Sequence, residues 1–199
     1  MLKEKGVTMR EEIIDKISES IKVKQSILNN EDILNAIEET AEMIINCYQN
    51  GGSVYIMGNG GSASDAQHMA GELVGRFLME RKGLPAMSFS TDTSVLTAIG
   101  NDYGYDALFE RQTEAHVKMG DVVIGISTSG NSTNIIKAFD KAKEIGAFTV
   151  GLLGKDGGML KNKSDVCILV ECNKTPHVQE SHITIIHILC GLVEKAMAK

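Results

Sequence analysis

Between residues 10 and 50, apolar positions recur at helical spacing among charged ones. Ile13, Ile14, Ile17, Ile21, Ile27 and Leu28 form one stripe. After Asn29-Asn30-Glu31-Asp32 the pattern resumes with Ile33, Leu34, Ile37, Ala41, Ile44, Ile45 and Tyr48. Residues three and four apart share a helix face, so the spacing predicts two amphipathic helices. Gly51-Gly52 is expected to stop the second. Each stripe either packs on the rest of the chain as core or faces another subunit, and the pattern alone leaves both readings open.

From residue 53 the rhythm changes. Five short apolar runs, SVYIM (53–57), AMSF (86–89), DVVIGI (121–126), FTVGLL (148–153) and DVCILV (165–170), alternate with loops and helical stretches. Helices are expected from the loop after 57 to about Phe77, through VLTAI, over about 106–118, up to Gly146, and from about Pro176 to Ala196. Continuous apolar strands alternating with helices predict a parallel sheet covered on both faces. The fold class is therefore α/β: a five-stranded parallel sheet flanked by helices, with an N-terminal helical extension over 1–50 and the sheet domain over 51–199. Ligands of such sheets bind beyond the carboxyl ends of the strands. Attention thus falls on the loops after 57, 89, 126 and 153.

A length of 199 residues suits this single domain with its extension. The net charge of −6 argues against a nucleic-acid backbone as partner, because that affinity comes from Lys and Arg. With no Trp and few aromatics, an aromatic platform for stacked bases is not expected either. Cysteines at 47, 167, 172 and 190 form no CxxC pair and read as reduced, mostly buried thiols. The charged start, MLKEKGVTMREE, has no apolar region of a signal peptide, and no stretch approaches a membrane span. A cytoplasmic protein without a membrane partner is the expectation.

Two loops can hold a ligand. Ser127-Thr128-Ser129-Gly130-Asn131-Ser132 follows a buried strand and opens a helix. It reads either as a Ser-rich turn with an N-cap or as an anion site built on free helix N-terminal amides. Gly58-Asn59-Gly60-Gly61-Ser62-Ala63 matches a relaxed dinucleotide fingerprint, but no acidic residue ends the second strand, so a nicotinamide cofactor is not expected. On the helix that follows, His68 and Glu72 lie four apart and can reach one point. Such a pair is either an exposed hydrogen-bonded contact or half of a metal site. Gln179 and His187 sit on the last helix, His187 within an apolar run, where an imidazole needs a partner. His116, His177 and His182 have no matching constellation and read as structural or surface residues.

GNGGSASDAQHMAGELVGRF, KGLPAMSF, STDTSVLTAIGNDYGYD, GDVVIGISTSGNSTNI, GLLGKDGG and QESHITIIHILC, in this order, resemble the phosphoheptose isomerases of the sugar-isomerase (SIS) domain family. The likeness runs from about residue 35 to 195. It implies a SIS-type, flavodoxin-like three-layer sandwich and a homotetramer. It also implies conversion of sedoheptulose 7-phosphate to D-glycero-D-manno-heptose 7-phosphate, a first step toward the heptose of bacterial surface glycans. The resemblance puts one Zn²⁺ per subunit on His68, Glu72, Gln179 and His187, and catalysis on Glu72 and His187. Substrate contacts fall on Asn59, Gly60, Gly61, Glu72, Asn101, Asp102, Ser127, Thr128, Ser129, Ser132 and Gln179. The DnaA initiator-associating proteins, a non-catalytic relative, lack the acid at 72 and the His at 187, both of which stand here. SIS sugar-binding regulators usually carry a DNA-binding domain for which this chain leaves no room. Where the family commonly has Arg two residues before Gln179, this sequence has His177.

Overall fold

The computed structural model describes residues 7–198. Two helices come first, α1 (Met9–Leu28) and α2 (Glu31–Gln49). Thr8 and Glu11 close a capping box at the start of α1, and the Asn30 side chain accepts from the amides of Asp32 and Ile33 at the start of α2. Then follow β1 (Val54–Gly58), α3 (Gly61–Val74), β2 (Ala86–Ser88), α4 (Thr93–Tyr103) and α5 (Leu108–His116). The chain continues through β3 (Val122–Ser127), α6 (Thr133–Ile145), β4 (Phe148–Gly154), α7 (Gly158–Lys161), β5 (Val166–Val170) and α8 (Thr175–Met197).

The five strands form one parallel sheet in the order β2-β1-β3-β4-β5. Alternate residues of each strand serve opposite faces. Val54, Ile56, Ile124, Ile126, Val150 and Leu152 pack with α2, α3 and α8 in one core. Met57, Val123 and Leu153 pack with α5 and α6 in the other. The result is the expected three-layer sandwich. Strand order reverses between β1 and β3, so the loops leaving their carboxyl ends flank a switch point.

The two amphipathic stripes separate here. That of α2 enters the sheet's own core through Ile33, Ile37 and Ile44. α1 contributes no buried residue, and Ile13, Ile14, Ile17 and Ile21 are each more than half exposed.

Some boundaries move. The helix expected to reach Phe77 stops at Val74, where Gly75 caps it, and residues 75–85 form a connecting loop. The helix expected over about 106–118 is a 3₁₀ turn at Tyr105–Ala107 followed by α5. The Gly-rich loop after β4 contains the short α7, which periodicity over four residues cannot announce.

Candidate active site

The loop after β1 and the loop after β3 lie side by side, because Gly58 and Ile126 are register partners. In the second, Ser127 Oγ lies 2.9 Å from Ser132 Oγ and 3.5 Å from Ser129 Oγ, and it accepts from the Gly130 amide at 3.1 Å. The side chain of Ser132, the N-cap of α6, does not cap its own helix. Hydroxyls and the helix N-terminus therefore converge at one turn, a chemistry that suits an anion. Gly130 has φ +66°, and a Cβ there would meet the Gly157 carbonyl oxygen at 1.9 Å. Only glycine lets the loops after β3 and β4 close on each other in this way.

Asn59 is held from two sides. Its Oδ1 accepts from Asn134 Nδ2 at 2.9 Å and from the Tyr105 hydroxyl at 2.7 Å, while its Nδ2 donates to Asn134 Oδ1. Beside it lies a cleft of about 310 Å³, lined by Gly58, Asn59, Gly60, Ser90 and Tyr105 among others. Asn101 and Asp102 are exposed at the end of α4 and hydrogen-bond to each other at 2.8 Å; they do not line this cleft. Tyr105, Ser90 and Asn134 are absent from the sequence-based set. Asn134 is the one with a readable signal, a polar side chain in the first turn of the helix that the Ser-rich loop opens.

Helix α3 runs away from these loops beside α8. His68 Nε2 lies 3.1 Å from Glu72 Oε1 and 3.1 Å from His187 Nε2. One donor atom from each of the three falls within 4.8 Å of the others. His68 is exposed, whereas Glu72 and His187 are half-buried. The Phe77 ring stacks on His187 at 5.6 Å between centroids and an interplanar angle of 21°. One turn before His68, Asp65 Oδ2 is buried without a partner. Burial raises the pKa of that carboxyl, and the neighbouring His68 offsets part of the rise. Burial, with Glu72 as a lesser cause, pushes the nearby Cys190 thiol up to about 12, which leaves it unreactive.

Gln179 is the fourth residue of the expected metal set. Its amide lies against Gly61, where a Cβ would come within 2.3 Å of Nε2. His68 follows Gly61 by seven residues of α3, about 10 Å of helix. His68, Glu72 and His187 thus gather at one point, while the Gln179 amide lies beside Gly61 at the start of α3. Gln179 and His187, eight apart on α8, are separated by about two turns. His177 and His182 are structural, as expected. The His177 ring bridges Glu19 of α1 and Glu180 of α8 at 3.1 and 3.2 Å. His182 Nε2 lies 3.1 Å from the carbonyl oxygen of Leu153.

Comparison with known proteins places this architecture. Residues 17–154 match the family model of the SIS domain. Over 189 residues the chain is 54% identical to a phosphoheptose isomerase of Aneurinibacillus thermoaerophilus, covering 95% of this chain and 96% of that one. The solved phosphoheptose isomerase of Neisseria gonorrhoeae superposes with a TM-score of 0.87 at 41% identity, covering 94% of this chain and 100% of the other. That of Francisella tularensis superposes with a TM-score of 0.91 at 34% identity, covering 94% and 99%. The fold is that of a SIS domain, and the relatives give the chain the role of a sugar-phosphate isomerase. The chain belongs to the phosphoheptose isomerase family and is an enzyme.

Proposed function

We propose that this enzyme interconverts sedoheptulose 7-phosphate and D-glycero-D-manno-heptose 7-phosphate, supplying heptose for bacterial surface glycans, and that it works as a cytoplasmic homotetramer. The observation that carries this reading is the cluster of a carboxylate and two imidazoles, in which His68 and Glu72, on the helix leaving the loop beside the Ser-rich turn, meet His187 of α8. Ketose–aldose isomerisation moves a proton between C1 and C2 through an enediol, and it needs a base and an acid in reach of adjacent carbons. Ser127, Thr128, Ser129 and Ser132 hold the phosphate, while Asn59, Gly60, Gly61, Asn101, Asp102 and Gln179 orient the sugar. Glu72 takes the carbon-bound proton. Its Oε1 is engaged with His68, which leaves Oε2 for that transfer. His187 donates at the oxygen on the neighbouring carbon, held in place by the Phe77 ring.

Three N and O donors with their ligand atoms converging also suit a Zn²⁺ site that keeps one position open for substrate. His68, Glu72 and His187 would hold the ion, and Glu72 and His187 carry protons only while they are released from it. When bound, zinc supplies Lewis-acid polarisation of the sugar oxygens. The test is incubation of the purified protein with sedoheptulose 7-phosphate, following the aldose by its anomeric proton signals. Aldose is expected to accumulate toward equilibrium. A reaction no faster than the protein-free control, with and without added zinc, refutes the assignment.

A further inference from the structure

The loop between α3 and β2, residues 75–85, leaves α3 two residues after Leu73 and passes over α8. A buried pair holds it there. Arg81 and Glu194 have side-chain exposures of 2% and 1%, and Arg81 Nε lies 3.2 Å from Glu194 Oε1. Each charge is satisfied by backbone groups as well. Glu194 accepts from the amides of Phe77, Leu78 and Met79 at 2.8, 2.6 and 2.9 Å. Arg81 donates from Nη2 to the Glu72 carbonyl at 2.8 Å, and from Nη1 to the carbonyls of Leu73, Gly75 and Lys82 at 2.9, 3.1 and 3.1 Å. Burial alone would raise the Glu194 pKa. The three amides and the Arg81 charge outweigh it and keep the group lowered.

These contacts join both halves of the site. The guanidinium fixes the last turn of α3 at the backbone of Glu72 itself. The carboxylate, seven residues beyond His187 on α8, fixes the amide of Phe77, whose ring stacks on His187. A surface loop could be tied down by one apolar anchor. Burying a full ion pair for that purpose costs desolvation that is recovered only where the geometry is closely specified. Here every backbone bond of the pair ends within residues 72–82, the segment that runs from Glu72 past Phe77.

We propose that Arg81 and Glu194 are positioning residues: they lock the 72–82 segment so that Glu72 and His187 face each other in working geometry, with Phe77 as the link to the imidazole. The inference rests on the isomerase reading for its kinetic arm only.

The experiment compares wild type with Arg81→Lys, Glu194→Gln, Phe77→Leu and Phe77→Tyr, well below each protein's melting temperature. Asp165→Asn serves as a control at a structural contact of the β4–β5 end, where Asp165 accepts from the Thr149 amide. Three quantities are read: kcat and KM, the melting temperature, and the His187 ring-proton NMR shifts, which the face of Phe77 displaces. Residues that hold a ligating or reacting side chain in place typically contribute 10–100-fold. Arg81→Lys and Glu194→Gln are expected to lower kcat about 10–100-fold with KM within about threefold, and to move the His187 signals toward unstacked values. Phe77→Leu should do the same to kcat, and Phe77→Tyr should restore both readouts. Asp165→Asn should lower only the melting temperature. If Arg81→Lys and Glu194→Gln behave like Asp165→Asn, the pair merely stabilises the fold and the proposal is overturned. If either variant fails to fold, Phe77→Leu against Phe77→Tyr decides. If wild type does not isomerise, the reading of the preceding subsection falls, and the His187 signals still decide whether the strap positions the cluster.

Discussion

In the proposed mechanism Glu72 and Ser129 sit on opposite sides of a kinetic division. A phosphate contact is made in both ground and transition states, so losing it should chiefly raise KM. Proton transfer occurs only on the way over the barrier, and a positioned base typically contributes about 10²–10⁴-fold. Ser129→Ala is therefore expected to raise KM while kcat stays within about tenfold. Glu72→Gln keeps the side chain's shape, removes the base, and should lower kcat at least about 10²-fold. Steady-state kinetics on both variants, with zinc content measured alongside, check the assignment. Near-normal kcat in Glu72→Gln would transfer the role of base elsewhere, with Asp102 as the next carboxylate to test. At this scale the sequence is partly legible. His68 and Glu72 declare a shared face by their spacing of four, and the Ser-rich turn declares itself by following a buried strand. That His187 meets them cannot be read from α8 alone, because it depends on α3 and α8 lying side by side; the family resemblance carries it. Tyr105 and Ser90 escape altogether, since each reaches Asn59 or the Gly58 carbonyl across loops whose proximity is a property of the folded sheet.

Element by element, legibility follows length and period. The sheet strands read as apolar runs because both of their faces are buried, and α8, at 23 residues, reads from its periodicity and from Pro176 in its first turn. The exit of α3 is misjudged because Phe77 and Leu78 continue an apolar pattern, whereas in the fold their amides turn toward Glu194 rather than back along the helix. α1 presents the opposite case: its pattern is plain, but the isoleucines of its first half enter no core among the described residues. Ile13, Ile14, Ile17 and Ile21 remain 52–60% exposed while α2, with a similar stripe, is absorbed into the core. Each isoleucine withdrawn from water contributes roughly 1.5–3 kcal/mol, so four on one face form a strong association surface. Ile17→Asp combined with Ile21→Asp is expected to release subunits of 21.5 kDa from the proposed tetramer without unfolding them, because neither side chain supports the sheet. Light scattering together with circular dichroism reads both quantities. A wild type that already scatters as a single 21.5 kDa chain at working concentration would remove the tetramer from the proposal.

For the molecule as a whole, acid stability has an identifiable contributor in His182. Its ring lies between α8 and the end of β4, where Nε2–H donates to the Leu153 carbonyl and Nδ1 is buried without a partner. Burial lowers its pKa from 6.5 to about 4, and the bond to Leu153 opposes the shift only in part. The folded state therefore holds this imidazole neutral at pH values where the unfolded chain has already protonated it. Between about 6.5 and 4 the unfolded state binds more protons, so stability rises with pH through that window; the full contribution is present above 6.5 and is lost as pH falls toward 4. The gap is worth on the order of 3 kcal/mol. Glu194, held below the ordinary carboxylate value, acts in the same direction but lower on the scale: its contribution stands above about 4.5 and is lost as pH falls through its folded value. The two can thus be told apart by where the loss begins. His182→Gln retains an N–H for Leu153 and cannot titrate. Its denaturant midpoint should change less than that of wild type between pH 6.5 and 4.5, with protein concentration fixed so that assembly does not enter the comparison. Parallel pH profiles for the two proteins in that window would mean that His182 is protonated in the fold, and that its contact with Leu153 is not the one described here.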